Sequence, residues 1–291
     1  MRLKVLTALA FICQMFLSHE QLTAQCSDAG VCSVGKNISH AESGEKEHRV
    51  GVVYVLGRST SADDITYHSA RVEGAIQISD YSQLSIVVPI NAQTGPSGSA
   101  SGIGDVIAVW NQTVLRREEL TLQVQLGGKL ATGNANGNAN LPQAYQSGLG
   151  TNDVLFGATV ESGGFDASVA AQIPFGRSSN ALTRLKRGSD VLVRGGYSFV
   201  FDQLTVHPTL LFIQRLGESN IRNLGFPAGP EFVDVAESDQ TQINLQIDGA
   251  LRVSERYSVE AGIAFPFLKR NVNVDGLTRA FSLRAGAFVW F

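Results

Sequence analysis

The chain has 291 residues, a formal net charge of -3 and no basic block, so it carries no electrostatic footprint for a nucleic acid partner. Hydrophobic residues make up 44% of it, yet beyond the N-terminus no apolar run approaches the roughly 20 residues that a spanning helix requires. With 30 Gly against 8 Pro, the apolar residues are spread in alternation, which suits many strands and tight turns.

Residues 1–24 open with Arg2 and Lys4, continue through an apolar stretch from Val5 to Leu17, and end on Leu22-Thr23-Ala24. That is the pattern of a secretory signal peptide, with cleavage near Ala24. Gln25 stands before Cys26 where a lipoprotein signal needs a small residue, so no lipid anchor is expected there. Cys13 leaves with the signal. The exported pair Cys26 and Cys32, spaced C-x5-C, can close a small disulfide loop, which the chain-entropy model puts at roughly 2 kcal/mol of stabilisation. A metal site would need further ligands in register, and His40 and His48 are too distant, so no metal and no cofactor are expected. Residues 25–48 show neither helical nor strand period and read as a periplasmic arm, or a short plug folded into a barrel mouth.

From Arg49 to Phe291 the pattern changes to alternating segments of about ten residues, the length a tilted strand needs to cross a membrane. Strands are expected over residues 49–57, 67–78, 83–90, 105–115, 120–130 and 151–161. Six more follow at 165–175, 190–200, 204–214, 240–253, 257–268 and 279–291. In the fifth, Leu120, Leu122, Val124, Leu126 and Leu130 oppose Thr121, Gln123, Gln125 and Lys129. In the tenth, Ile243, Leu245, Ile247 and Leu251 alternate with Gln242, Asn244, Gln246 and Asp248. The last puts Phe281, Leu283, Val289 and the terminal Phe291 on one side, and Ser282, Arg284 and Trp290 on the other. A terminal strand this apolar would be an exposed edge unless the sheet closes and lipid covers its apolar face.

The connections alternate strictly between long and short. The long ones include the Gly/Ser stretch NAQTGPSGSASG and residues 132–150, both expected to lie in solvent; the short ones include Ser162-Gly163-Gly164. Outer-membrane barrels have this rhythm, with short periplasmic turns and longer external loops. The expectation is an all-β, closed, antiparallel, up-and-down transmembrane β-barrel of about twelve strands in the outer membrane of a Gram-negative bacterium, with both termini periplasmic. Phe265, Phe267, Trp290 and Phe291 near strand ends are expected to form interfacial girdles, in contact with outer-membrane lipid. The final Phe291 resembles the signal by which the outer-membrane assembly machinery recognises its clients.

The face opposite the apolar one collects Arg71, Glu73, Gln123, Gln125, Lys129, Arg194, His207, Gln242, Gln246, Asp248, Glu260 and Arg284, with Asp166 and Gln172. A dry core could not hold that many ionisable groups unpaired, whereas a wet or salt-bridged lumen could. Twelve strands lie between the eight that side chains fill and the sixteen that leave an open channel, which points to a narrow pore or a ligand-holding cavity. A non-conducting structural or ligand-binding barrel is the alternative, and a lipase or deacylase built on His207 is the third. No G-x-S-x-G motif is present, so no catalytic residue is assigned. Gly102-Ile103-Gly104-Asp105 lacks a third glycine and precedes a strand, so the dinucleotide reading fails.

Gly102-Ile103-Gly104-Asp105-Val106 and the run from Gln146 to Asp153, QSGLGTND, resemble the G-L-G-D and Q-x-G-x-G-T-x-D elements of the outer-membrane proteins named for the phenol meta-cleavage pathway. Those belong with the long-chain fatty-acid transporter type of channel. The likeness covers roughly Val50 to Phe291, and the leader ending LTAQC resembles Bacteroidetes homologues. The resemblance implies passive uptake of small, often hydrophobic or aromatic solutes and supplies no catalytic residue.

Overall fold

The computed structural model describes residues 48–59 and 63–291. The signal segment, most of the N-terminal arm and the Cys26/Cys32 pair lie outside the described residues. Two-residue periodicity places apolar and polar side chains on opposite faces of each segment, and pairing of the segments makes a sheet. In chain order the strands are β1 Arg49–Arg58, β2 Thr66–Ser79, β3 Ser82–Gly95, β4 Gly98–Ile103, β5 Val106–Arg117, β6 Leu120–Leu130, β7 Asn152–Ser162 and β8 Phe165–Phe175. They continue as β9 Ser189–Tyr197, β10 Phe199–Phe201, β11 Leu204–Leu216, β12 Asn220–Arg222, β13 Phe232–Asp234, β14 Thr241–Arg252, β15 Tyr257–Leu268 and β16 Phe281–Trp290.

Neighbours pair antiparallel around a ring, and β1 pairs with β16 from Arg49 opposite Trp290 to Arg58 opposite Phe281. The barrel wall therefore closes on itself. β9 and β10 form one strand interrupted at Ser198, and β4 leads into β5 across Gly104 and Asp105, so the ring is a closed twelve-strand antiparallel barrel. Each of the twelve expected strands has its counterpart in the ring.

Short turns gather at one end and long connections at the other. At the turn end, Gly163 and Gly164 take φ of +56° and +89°, which only glycine adopts without strain, and close the hairpin between β7 and β8. His48 and Phe291 meet at this same end, exchanging backbone hydrogen bonds of 2.9 and 3.2 Å. Outward residues such as Val52, Leu126, Leu210 and Leu283 leave an apolar band around the wall.

The structure corrects three expectations. The Gly/Ser stretch is a hairpin: β3 and β4 pair from Ile90 opposite Ile103 to Gly95 opposite Gly98. Asn91, Gln93 and Ala100 are buried in it, because ladder pairing needs only backbone groups and the hairpin leans on a loop folded beneath it. Residues 132–150 are that loop, with Leu141, Ala144 and Tyr145 packed against Ile65, Tyr67 and Ala100. Trp290 belongs to no girdle, since its parity with Ser282 and Phe288 turns it inward. There it is buried, donating to Ser258 Oγ at 2.9 Å with the Arg49 guanidinium above its ring.

Candidate functional site

The barrel interior has three layers. At the long-loop end, Lys129 Nζ lies 3.1 Å from Asp105 and 3.4 Å from Asp153, and it donates to the carbonyl of Thr151 at 2.6 Å. Arg187 reaches Asp153 at 2.6 Å, and Arg215 joins Asp190 at 3.1 Å to Asp275 at 2.7 Å. Arg270 closes on Asp190 at 3.1 Å. These side chains are buried, so their charges persist only because each cation has a carboxylate at contact distance. Burial pushes the Asp275 carboxyl up, but Arg215 and Arg187 more than offset that and hold it below the usual carboxylate range.

This network clasps loops to the wall. Arg187 ends the connection between β8 and β9, while Arg270 and Asp275 belong to the one between β15 and β16. Asp105 accepts the backbone N–H groups of Gly133 and Leu149 at 3.0 and 2.7 Å, tying residues 132–150 inward. Gln146 Nε2 donates to the carbonyls of Asn138 and Leu141, and Ser147 Oγ to that of Ile103. Gly133 and Gly148 approach so closely that a Cβ on either would lie 2.6 Å from the other's Cα. The two glycine-rich sequence elements therefore meet in space, and their terminal acids Asp105 and Asp153 share Lys129.

Beneath the clasp lies an apolar layer of Ile107, Val109, Leu155, Ala170, Leu192, Leu211 and Ile213, into which Leu277 inserts from the last loop. The sequence reading singled out only polar and charged inward residues and missed this layer, because Leu155, Leu192 and Leu211 are flanked by apolar outward residues and leave no alternation to read.

The third layer, toward the turns, is polar. Arg284 stands among Glu260 at 2.5 Å, Glu73 at 3.6 Å and Asp248 at 3.8 Å, and Arg49 also reaches Glu260 at 3.3 Å. Gln246 donates to Asp248, and Gln125 to Thr159 Oγ1 at 3.0 Å; Gln242, which donates to Asn244 Oδ1 at 3.0 Å, lies instead at the loop end of β14, opposite Ile213 of the apolar layer. Arg71 donates to Ser69 Oγ at 3.1 Å, and Gln123 is half-buried on β6. A cavity of about 120 Å³ runs beside Arg71, Glu73, Asp248 and Arg284 up to Ile107 and Val109. Of the residues singled out from sequence, Lys129 falls in the clasp. Arg71, Glu73, Gln246, Asp248 and Arg284 line the cavity, and Glu260 supports it through Arg284 and Arg49.

Arg194 and His207 form a separate group with Asp166, whose carboxylate lies 4.0 Å from Arg194 and 3.0 Å from His207 Nε2. His207 Nδ1 meets Ser198 Oγ at 2.9 Å, so serine, histidine and aspartate stand in line beside an open mouth lined by Glu161, Thr205 and Arg252. The ring is reversed for acyl transfer, where Nε2 faces the serine and Nδ1 the aspartate. The Ser198 N–H is also taken, donating to the carbonyl of Gly164 at 2.8 Å. The group is a polar lining of the mouth.

Asp105, Asp153, Arg187, Asp190, Arg215, Arg270 and Asp275 were not singled out from sequence, because they sit at strand ends and in loops where alternation stops. The one available signal was that both glycine-rich elements end in aspartate.

No protein-family model matches the chain, and no curated protein sequence does. Among solved structures, an outer membrane channel from Pseudomonas putida F1 superposes with a TM-score of 0.66 at 14% identity, covering 88% of this chain and 99% of that one. The translocator domain of the autotransporter NalP from Neisseria meningitidis gives 0.52 at 9% identity, covering 90% and 93%. The NanC porin gives 0.50 at 9% identity, covering 82% and 98%. The fold is shared with outer-membrane barrels.

Proposed function

We propose that the protein is an outer-membrane barrel channel through which small solutes pass without energy input. The observation that carries this is the closed ring itself: an apolar band outside, a wall whose first and last strands pair, and a charged cavity within, an arrangement that suits lipid outside and water inside. The fold likeness to an outer membrane channel supports the same reading. The turns and both termini lie on the periplasmic side in this reading, with the long loops outside the cell. Phe291, exposed at the turn end, is the feature offered to the assembly machinery. The paired glycine-rich elements support kinship with the phenol-pathway type of channel, and their structural part here is to fold a loop into the lumen.

A second reading has its own observation. The clasp and the apolar layer fill the long-loop half, so a barrel in which they never move would bind solute without conducting. Liposome swelling with sugars, fatty acids and small aromatics separates the two. The channel reading expects size-limited swelling above protein-free vesicles, and no swelling with any solute favours the closed barrel.

A further inference from the structure

The polar-layer cavity has unlike ends. Toward the loops its walls are Val55, Val87, Ile107 and Val109; toward the turns they are Arg284 and Asp248 with Glu73 and Arg71. At the charged end several buried atoms have no hydrogen-bond partner: Arg284 Nε and Nη1, Asp248 Oδ1 and Ser282 Oγ. Buried polar atoms are nearly always satisfied, and the exceptions mark places where something else binds. Two of these atoms are a donor and an acceptor side by side, with Arg284 Nη1 only 3.8 Å from Asp248 Oδ1. Gln246 already occupies the other Asp248 oxygen, which fixes the free one toward Arg284.

The signs nearly cancel. Arg49, Arg71 and Arg284 face Glu73, Asp248 and Glu260, so a solute with only a negative or only a positive group would meet as much repulsion as attraction. A solute with both, placed close together, answers the donor and the acceptor at once. Its remaining atoms would lie against the valine and isoleucine wall. The space of about 120 Å³ holds no more than roughly six non-hydrogen atoms, since a cavity of about 150 Å³ takes benzene.

We propose that this cavity is a solute site for small zwitterions with an apolar body, the chemistry of an α-amino acid with an aliphatic side chain. The proposal rests on the channel reading and names the class of solute that channel favours. L-alanine, with six non-hydrogen atoms, fits the description, and propionate and ethylamine are the same skeleton without the amine or without the carboxylate. Titration calorimetry on the full-length protein in detergent, with the three compounds, tests it directly. Alanine is expected to bind at least about tenfold more tightly than either analogue, and Asp248→Asn to weaken alanine by about tenfold while leaving propionate unweakened. Propionate binding as tightly as alanine, or alanine unaffected by Asp248→Asn, overturns the proposal. If that variant does not fold, the three-compound comparison on the unmodified protein decides alone. A protein that conducts ions yet shows no preference among the three refutes the site and leaves the channel standing. One that prefers alanine yet never conducts supports the site and removes the channel.

Discussion

The two halves of the barrel interior are built from the same residue types and put them to opposite use. In the long-loop half, Lys129, Arg187, Arg215 and Arg270 each have a carboxylate within 3.1 Å, and the groups they join come from both wall and loop. In the turn half, Arg284 has three carboxylates around it, and two of its nitrogens and one Asp248 oxygen lack hydrogen bonds; Arg187 and Arg270 in the clasp also leave nitrogens without hydrogen bonds, so what sets the turn half apart is the cavity that Arg284 and Asp248 line. Charges locked into one another hold a structure shut, whereas charges left partly unanswered beside open volume are available to a solute. The difference comes from the loops, which deliver Arg187, Arg270 and Asp275 to one end, while the turns deliver no such partners to the other.

The comparison sharpens into expectations of decreasing size. Asp153→Asn removes a buried carboxylate shared by Lys129 and Arg187, leaving Lys129 with Asp105 and Arg187 with only Asp190 at 3.9 Å, a change that costs about 3–5 kcal/mol. It should lower the guanidinium unfolding midpoint strongly, and an unchanged midpoint would mean the clasp is not load-sharing. Acid should act on the same half. The Asp275 carboxyl is held below its usual range in the fold, so its contribution is full above about pH 4, the unfolded value, and is lost only as pH falls further through the folded value. Channel conductance should then be flat from neutral pH down to about pH 5 and rise only below about pH 4. A transition between pH 5 and 7 would assign the clasp to another group. In the turn half, Arg284→Gln leaves Glu73, Asp248 and Glu260 around the cavity without their central cation, so the reversal potential under a salt gradient should shift toward cation selectivity. No shift would place Arg284 off the ion path.

The wall was legible in the sequence and the clasp was not, for a physical reason. A strand in a barrel wall has one side to lipid and one to the interior, so every second residue is constrained and the constraint repeats through β6 and β14 without a break. Gln125, Lys129 and Glu260 are buried while their strand neighbours Leu126, Leu130 and Val259 are exposed. Residues 132–150 offered no such pattern, because Gln143, Gln146, Ser147 and Gly148 are buried by hydrogen bonds and close backbone approach rather than by apolar periodicity. Polar loops that fold inward look the same in composition as polar loops that do not. Trp290 shows the opposite error, where an aromatic near a strand end suggested an interface although its parity already turned it inward.

The central claim is that a channel runs through the barrel and that the inward loop held by Asp105 is its barrier. Single-channel recording in planar bilayers, comparing the unmodified protein with Asp105→Ala, tests it most directly, since that substitution frees the N–H groups of Gly133 and Leu149 and one partner of Lys129. The account predicts small, brief current steps from the unmodified protein and larger, longer-lived steps from the variant. Folded barrels of both kinds that pass no current, or that pass identical current, would contradict it.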